Sequence, residues 1–353
     1  MSVLFVCSLL FHSLHAQDAR FSQPWTSPLM INPALSGNFD GYLRIGGTSS
    51  WQKSGISQVA HQYAYLDNRL NRKNNDSLNA FWGFGLTYYQ YGDDPFGFLV
   101  TRTPLIGTFA AFTLAYHFNL DKKGMHSMGV GAQFANANGK LDESRGAYDK
   151  EIGGGGFNFL EIDPTKRRRT IKNYVDYNAG FYYRFRNESL VLETGFSMYH
   201  LTSPANTLIG DVESRENRRA VMHVTLNVKL NPRNALVFRN IYYSEGLYWR
   251  SPVLDNNFVL ANWMGMEFQR MRPKNDVFLH AGLFSRSFKT VMPYLSVYLG
   301  RNVNLRASYE QPLYSKINAL QYEARRIEGS LIFTFYDKSR EDRRNTPSDA
   351  VNW

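Results

Sequence analysis

The most regular pattern of apolar and polar positions in this chain runs from Tyr174 to Phe185. One alternating set is apolar or aromatic and consists of Val175, Tyr177, Ala179, Phe181, Tyr183 and Phe185. The other set consists of Tyr174, Asp176, Asn178, Gly180, Tyr182 and Arg184. Because side chains of a β-strand alternate between two faces, this pattern predicts a strand with one apolar face. Residues 220–230 and 303–310 repeat the pattern.

Segments of strand length recur along the rest of the chain. They lie near 41–52, 57–68, 80–91, 105–118, 126–136, 189–200, 234–244, 257–269, 276–287, 291–299 and 326–337. A helical period of 3.6 residues is hard to find, and no run approaches the roughly 18–20 apolar residues of a membrane helix. The sequence therefore predicts an all-β protein.

The connections between these segments alternate in length along most of the chain. The short ones are 119–125, 186–189, 230–234 and 300–302, and the long ones are 137–173, 201–219, 245–256 and 311–325. A tight connection at 288–290 is the exception on the long side. Outer-membrane barrels have short periplasmic turns and longer outer loops. We therefore predict a transmembrane antiparallel outer-membrane β-barrel of about fourteen strands over residues 41–337.

Charge decides which face of each strand points inward. A charged side chain on the lipid face at the bilayer midplane costs about 2–4 kcal/mol, so the charged face is assigned to the lumen. We expect both chain termini in the periplasm, since an even number of strands returns the chain to the side from which it started.

Three segments flank the predicted barrel. Residues 1–16 resemble a signal peptide without its basic start, with an apolar stretch from Val3 to Phe11 and Ala16 before the expected cleavage. Residues 17–40 contain Pro24, Pro28 and Pro33, which disfavour ladder pairing and predict an extended segment in the lumen or periplasm. Residues 338–353 form a charged tail that we expect in the periplasm.

Composition agrees with an exported barrel. The aromatic content of 15% suits the aromatic girdles at the two membrane interfaces. The net charge of +10 suits an anionic lipopolysaccharide surface or an acidic partner, whereas nucleic acid is not expected for an exported chain. Cys7 is the only cysteine and lies in the predicted signal peptide, so we expect no disulfide in the mature chain.

Candidate chemistry is sparse. The histidines beyond the signal are His61, His117, His126, His200, His223 and His280, and none stands at metal-ligand spacing from another ligand residue. No serine lies in a nucleophile elbow, so we expect no enzymatic activity, cofactor or metal. Lys166, Arg167, Arg168 and Arg169 lie in the longest outer loop. They are either a contact for phosphate or an acidic partner, or a solvated run of charge.

Several motifs resemble one family. They are Gln17-Asp18, Phe21-Ser22-Gln23, Asn32-Pro33-Ala34 and the nearby Gly37. The stretches at 178–185, 195–204 (which includes His200 and Pro204) and 314–336 are also similar. Together they resemble the PorP/SprF family, outer-membrane proteins associated with the type IX secretion system of Bacteroidota. Tyr314-Ser315 departs from the Tyr-Asp that members often carry.

The resemblance implies a monomeric, non-enzymatic barrel with its contacts at the family motifs. Such a barrel would take part in secretion or gliding by contacting periplasmic components. Alternatively, it would bind a secreted cargo or surface adhesin through a C-terminal domain of type B. On this basis the candidate contact residues are Phe21, Ser22, Gln23, Asn32, Pro33, Gly37, His200 and Pro204, together with the basic run.

The alternative function is a general diffusion porin. Polar residues assigned to the lumen fit a water-filled channel, namely Asp176, Arg184, Lys229, Arg306 and Glu310. Bulky residues assigned to the same face indicate a filled interior instead, namely Tyr174, Tyr182, Phe278 and Phe284.

Overall fold

The computed structural model describes most of the predicted barrel and the segment before it. The described residues are 21–39, 41–54, 57–70, 80–92, 105–142, 152–153, 156–157, 168–187, 190–205, 215–216, 218–231, 236–249, 261–270, 277–286, 290–300, 302–313 and 325–336. The predicted signal peptide and C-terminal tail, with Lys166 and Arg167, lie outside them.

A closed antiparallel barrel dominates the fold. Its strands are β1 (Leu43–Ser54), β2 (Ser57–Leu70), β3 (Phe81–Tyr91), β4 (Leu105–Asn119), β5 (His126–Asp142), β8 (Arg168–Arg186), β9 (Leu190–Tyr199), β10 (Arg218–Asn231), β11 (Leu236–Trp249), β12 (Ala261–Arg270), β13 (Val277–Arg286), β14 (Thr290–Leu299), β15 (Val303–Pro312) and β16 (Arg325–Phe335). β6 (Ile152–Gly153) and β7 (Gly156–Phe157) form a separate small hairpin. Each barrel strand pairs with its neighbour along the chain, and β1 pairs with β16 to close the ring. The predicted fold class is confirmed.

The two faces of the strands follow the alternation in the sequence. On β8, Asp176 and Tyr182 are buried inside the barrel, whereas Tyr177 and Phe181 point outward and are each 47% exposed. On β15, Arg306 is buried and Leu305 is exposed. An apolar outer wall with all backbone groups paired is the form in which β-strands cross a membrane.

The turn between β4 and β5 shows how a short connection is stabilised. The Asp121 carboxylate accepts hydrogen bonds from the backbone N–H of His126 at 2.7 Å and of Met125 at 3.2 Å. These hydrogen bonds, that of His126 above all, lower the pKa of the Asp121 carboxyl below its usual value. Gly124 adopts a positive φ of 68° in this turn, a conformation that glycine allows without steric cost.

The pattern of connections has exceptions that were not expected from the sequence. Only positions 55–56 separate β1 from β2, at the barrel end that also carries the long connection between β5 and β8. From the sequence, the tight connection at 288–290 was the one exception expected at that end. A tight hairpin needs only a few residues, so loop length by itself does not identify every turn on that side.

Residues 21–39, which we call the plug segment, lie inside the barrel. All of them except Met30 are buried. The segment is not extended as predicted, because it forms two 3-10 turns, Pro24–Thr26 and Pro33–Leu35, and one short α-helix, α1 (Pro28–Ile31). Each begins with a proline, whose fixed φ and missing N–H suit the first position of a helix. No helix in the described ranges is long and apolar enough to span a membrane.

Candidate functional site

Aromatic side chains attach the plug segment to two separate regions of the barrel wall. Trp25 is 1% exposed, and its ring lies 4.5 Å from Phe284 and 5.5 Å from Tyr294, measured between ring centroids. Phe21 packs against Tyr63 at 5.7 Å and against Tyr89 on β3. These contacts bury large apolar surfaces on two separate wall regions, and each aromatic pair contributes about 0.5–1.5 kcal/mol beyond its buried area.

The first residues of the plug segment bind two carboxylates of the wall. Glu328 on β16 accepts hydrogen bonds from the backbone N–H of Ser22 at 2.6 Å and of Gln23 at 2.9 Å. The Ser22 hydroxyl donates to Glu310 on β15 at 3.0 Å, and the Gln23 amide donates to Ser308. The Phe-Ser-Gln motif therefore makes polar contacts with buried residues of the last two strands.

Asn32 makes polar contacts both within the plug segment and with the barrel wall. Its side-chain oxygen accepts a hydrogen bond from the N–H of Ala34 at 2.9 Å, which caps the 3-10 turn that begins at Pro33. Its side-chain nitrogen donates to the carbonyl oxygen of Phe181 at 2.9 Å and, at 3.4 Å, to that of Phe196. The Asn-Pro-Ala motif thus ends one turn and binds the backbones of β8 and β9 at the same time.

Glycines on the inner wall make room for this motif. A Cβ atom at Gly180 would lie 2.1 Å from the side-chain oxygen of Asn32, and one at Gly195 would lie 2.8 Å from its side-chain nitrogen. A Cβ atom at Gly131 would lie 2.5 Å from the backbone nitrogen of Ala34. Contacts this short cannot be tolerated, so these wall positions require glycine while the plug segment is in place.

The last residues of the plug segment bind the wall near the start of β1. Gly37 has a positive φ of 74°, and its N–H donates to the Asp67 carboxylate at 3.1 Å. Asp67 also accepts two hydrogen bonds from the Arg44 guanidinium, at 2.9 and 2.8 Å. The same guanidinium lies 4.6 Å from the ring centroid of Phe39. A fully buried ion pair therefore joins β1, β2 and the plug segment.

Asn38, the residue after Gly37, contacts a second buried ion pair, formed by Arg184 and Glu193. The Asn38 amide donates to Glu193 on β9 at 3.1 Å, and Arg184 on β8 donates to the same carboxylate at 2.8 Å through its Nε. Both carboxylates that contact the end of the plug segment are thus paired with an arginine on an adjacent strand. Such pairing makes burial of the charge tolerable.

His200 connects to the plug segment through other side chains. Its Nδ1 lies 2.9 Å from Asp176, and its backbone N–H donates to the Asn178 side chain at 2.9 Å. Asn178 donates to Gln133, and Gln133 donates to the carbonyl oxygen of Leu29. Although His200 lies beyond the end of β9, this chain of hydrogen bonds links it to α1.

The remaining candidate residues do not join this network. Pro204 is buried, and its carbonyl oxygen accepts a hydrogen bond from the N–H of Glu216 in the connection between β9 and β10. Arg168 and Arg169 begin β8, opposite Asp142 and Leu141 of β5. The structure therefore brings together Phe21, Ser22, Gln23, Asn32, Pro33 and Gly37 in the plug segment, and places Pro204 and the two described arginines elsewhere.

Most of the wall residues that bind the plug segment were not predicted from the sequence. Glu328, Asp67, Glu193 and Arg44 were not singled out, although each is buried on the inner face of its strand. The available signal was the charge on the inward-facing set of a strand, which had identified Glu310. Among the described residues, no group of His, Cys, Asp and Glu is arranged to hold a metal ion.

Solved structures of barrel proteins resemble this fold at low sequence identity. A TodX mutant, a monoaromatic hydrocarbon channel, aligns with a TM-score of 0.49 at 12% identity over 88% of this chain and 94% of its own. The toluene transporter TodX of Pseudomonas putida aligns with a TM-score of 0.45 at 10% identity over 87% and 91%. CdiB from Acinetobacter baumannii aligns with a TM-score of 0.40 at 10% identity over 83% of this chain. The alignment covers 60% of the CdiB chain, so this chain spans less than two thirds of its length. No curated protein matches the sequence.

A sequence model of one family matches most of the chain. The family is described as the type IX secretion system membrane protein PorP/SprF, and the match covers residues 13–324. This range includes the plug segment with its Phe-Ser-Gln and Asn-Pro-Ala motifs and the barrel strands as far as β15. The chain therefore belongs to the PorP/SprF family of type IX secretion system membrane proteins.

Proposed function

We propose that this protein is a non-enzymatic outer-membrane component of type IX secretion or gliding that acts by docking. In this account the barrel is a rigid frame that binds a secreted cargo with a type B C-terminal domain, or a surface adhesin, and also contacts periplasmic components. No solute or polypeptide passes through its lumen. Binding and catalytic residues are often carried on loops positioned by a rigid scaffold, and here the barrel would serve as that scaffold.

The single observation that carries the proposal is the occupied lumen. The plug segment contacts β1, β2, β3, β5, β8, β9 and β13 to β16 through the side chains described above. Its contacts are backbone hydrogen bonds to buried carboxylates, tilted and edge-to-face aromatic contacts, and close approach to wall glycines. A diffusion porin needs a continuous water-filled path, and on this proposal a segment anchored to several walls of the lumen blocks that path.

The outer loops are the surface on which we propose that the cargo docks. Lys166, Arg167, Arg168 and Arg169 are four consecutive positive charges in the sequence, and the last two begin β8 at the barrel end that carries the long connections. Arginine binds carboxylates with two parallel hydrogen bonds, so an acidic surface of a cargo domain is the partner chemistry that this run fits.

Affinity purification of the tagged protein from native outer membranes, followed by mass spectrometry, tests the proposal. We expect a secreted protein with a type IX C-terminal domain, or periplasmic type IX components, to copurify. A variant with Lys166, Arg167, Arg168 and Arg169 changed to glutamine should lose the cargo. The K122Q/K123Q variant, which removes two exposed charges from the turn between β4 and β5, should retain it.

Two results together would contradict the proposal. The first is a protein that purifies alone from membranes in which type IX cargo is abundant. The second is a deletion strain in which export and surface retention of all type IX cargo are unchanged. Secreted cargo in the purified complex would indicate a barrel that binds cargo. Periplasmic components would indicate a barrel that contacts the secretion machinery.

A further inference from the structure

The outer wall of the barrel has a groove where β15, β16, β1 and β2 meet. Its volume is about 800 Å³, and its floor is formed by the small residues Gly47, Ala64, Ala307 and Gly329. Larger apolar side chains, including Trp51 and Leu331, form its sides. These residues belong to the outward-facing sets of their strands, so the groove faces the hydrocarbon region of the membrane.

The two glycines in the groove have no structural role inside the barrel. A Cβ atom at Gly329 would meet no atom within 4 Å, and one at Gly47 would meet only the carbonyl oxygen of Tyr63, at 3.6 Å. Neither glycine has a positive φ. A glycine within a strand weakens it, and one cause of its presence is the close approach of a ligand. These positions contrast with Gly180, where the plug segment itself requires glycine.

Two cations lie beyond one end of the groove. Lys53 and Arg325 are direct register partners on β1 and β16, and both are exposed. Each lies two residues beyond an outward-facing residue, Trp51 or Ile327, so both point to the same side of the wall as the groove. Like charges directly opposite each other destabilise a sheet unless a counter-charge is present. Within the described ranges, neither side chain forms a salt bridge.

We propose that the groove and this cation pair form a binding site for a phosphate-bearing glycolipid of the outer leaflet. An acyl chain would lie along Gly329 and Gly47, and the phosphate would be held between Lys53 and Arg325. The cation pair lies at the barrel end that carries the long connections, which in outer-membrane barrels faces the cell exterior. Guanidinium and ammonium groups are the usual partners of phosphate. This site is separate from the lumen and does not depend on the docking function.

Native mass spectrometry of the full-length protein in detergent tests the site. The probes are bis-phosphorylated lipid A, the same lipid after removal of its phosphates, and inorganic phosphate in excess. We expect the phosphorylated lipid to bind. We expect the K53Q/R325Q variant to bind it about tenfold less tightly, because it loses the charge-assisted hydrogen bonds. G329L, which fills the groove without changing a charge, should weaken binding as well.

The control is K122Q/K123Q, which removes two exposed cations at the opposite end of the barrel. It should bind lipid A as the unmodified protein does. Equal binding by K53Q/R325Q and the unmodified protein would overturn the proposal, as would equal loss in K122Q/K123Q. Displacement of the lipid by inorganic phosphate alone would overturn the part that assigns affinity to the acyl chain. Thermal unfolding of each variant establishes that it is folded before binding is measured.

Discussion

The Glu328 carboxylate accepts a hydrogen bond from the backbone N–H of Ser22 at 2.6 Å, although the two residues are 306 positions apart. This contact joins the plug segment to the last barrel strand, at the end opposite to its covalent connection with β1. The plug segment is therefore held at both ends, by Glu328 and Glu310 at one and by Asp67 and Glu193 at the other. A segment fixed in this way occupies the lumen as part of the fold, in contact with both β16 and β9.

The E328A substitution should release the first residues of the plug segment locally. It removes the acceptor for the N–H groups of Ser22 and Gln23, and a buried donor left without an acceptor costs about 1–3 kcal/mol. Hydrogen exchange at these two amides should therefore become about 10- to 100-fold faster. The amide of Ala34, which donates to Asn32, is the internal control and should keep its protection.

Unchanged exchange at Ser22 and Gln23 in E328A would contradict the two-ended attachment. The E328Q variant refines the result, because its amide oxygen still accepts one hydrogen bond. It should accelerate exchange less than E328A does, because one of the two N–H groups keeps an acceptor.

The G180A substitution should destabilise the protein by displacing Asn32. The new Cβ atom would lie 2.1 Å from the Asn32 side-chain oxygen, and overpacking of this kind typically costs about 1–3 kcal/mol. Thermal unfolding, followed by the shift of the folded barrel on unheated gels, measures the effect. The matched control is G329A, where the new Cβ atom would meet no atom within 4 Å. Equal melting temperatures for the two variants would contradict the conclusion that Asn32 leaves room only for glycine at position 180.

The alternation of apolar and polar residues predicted the barrel wall, because the direction in which each side chain of a strand points depends only on local backbone geometry. The positions of Asp176, Tyr182 and Phe181 follow directly from the period of two, and the structure agrees with all three. The same alternation cannot tell what occupies the lumen. Inward-facing charges fit water as well as they fit a peptide segment, which is why the porin remained as an alternative.

The plug segment was only partly predictable. Its prolines correctly excluded it from the barrel ladder, whereas the turns at Pro24–Thr26 and Pro33–Leu35 are too short to show a helical period. Contacts such as those of Ser22 with Glu310 and Glu328 join distant parts of the chain, and no local pattern marks them. The glycines at 180 and 195 gave a signal, since glycine inside a strand indicates close approach, but the approaching group is visible only in the structure.

The buried pair of Arg44 and Asp67 should show strong coupling. R44M leaves the Asp67 carboxylate buried without its arginine, which costs about 3–5 kcal/mol. The double variant R44M/D67L removes both charges and should recover most of that loss. It should not recover all of it, because the N–H of Gly37 also loses its acceptor. Urea unfolding in detergent measures the free energies, and a double variant as unstable as the sum of the single variants would contradict the pairing.

The aromatic anchor at Trp25 should matter more than a tryptophan on the outer wall. W25A removes a fully buried ring packed against Phe284 and Tyr294, at a cost of about 3–5 kcal/mol. W82A is the matched control, because Trp82 points outward and is 47% exposed. The W25A variant should unfold at a clearly lower temperature than W82A in the same detergent. The reverse order would show that the plug segment contributes little to stability.

The central claim is that the plug segment closes the lumen, and conductance in planar lipid bilayers tests it most directly. The unmodified protein should give no steady open channel, whereas a variant lacking residues 21–36 should conduct ions through the emptied lumen. A steady open channel in the unmodified protein, with a conductance that the deletion leaves unchanged, would contradict the account and favour a diffusion porin. The unmodified protein alone shows whether the lumen is closed, so the test remains valid even if the deletion variant fails to fold.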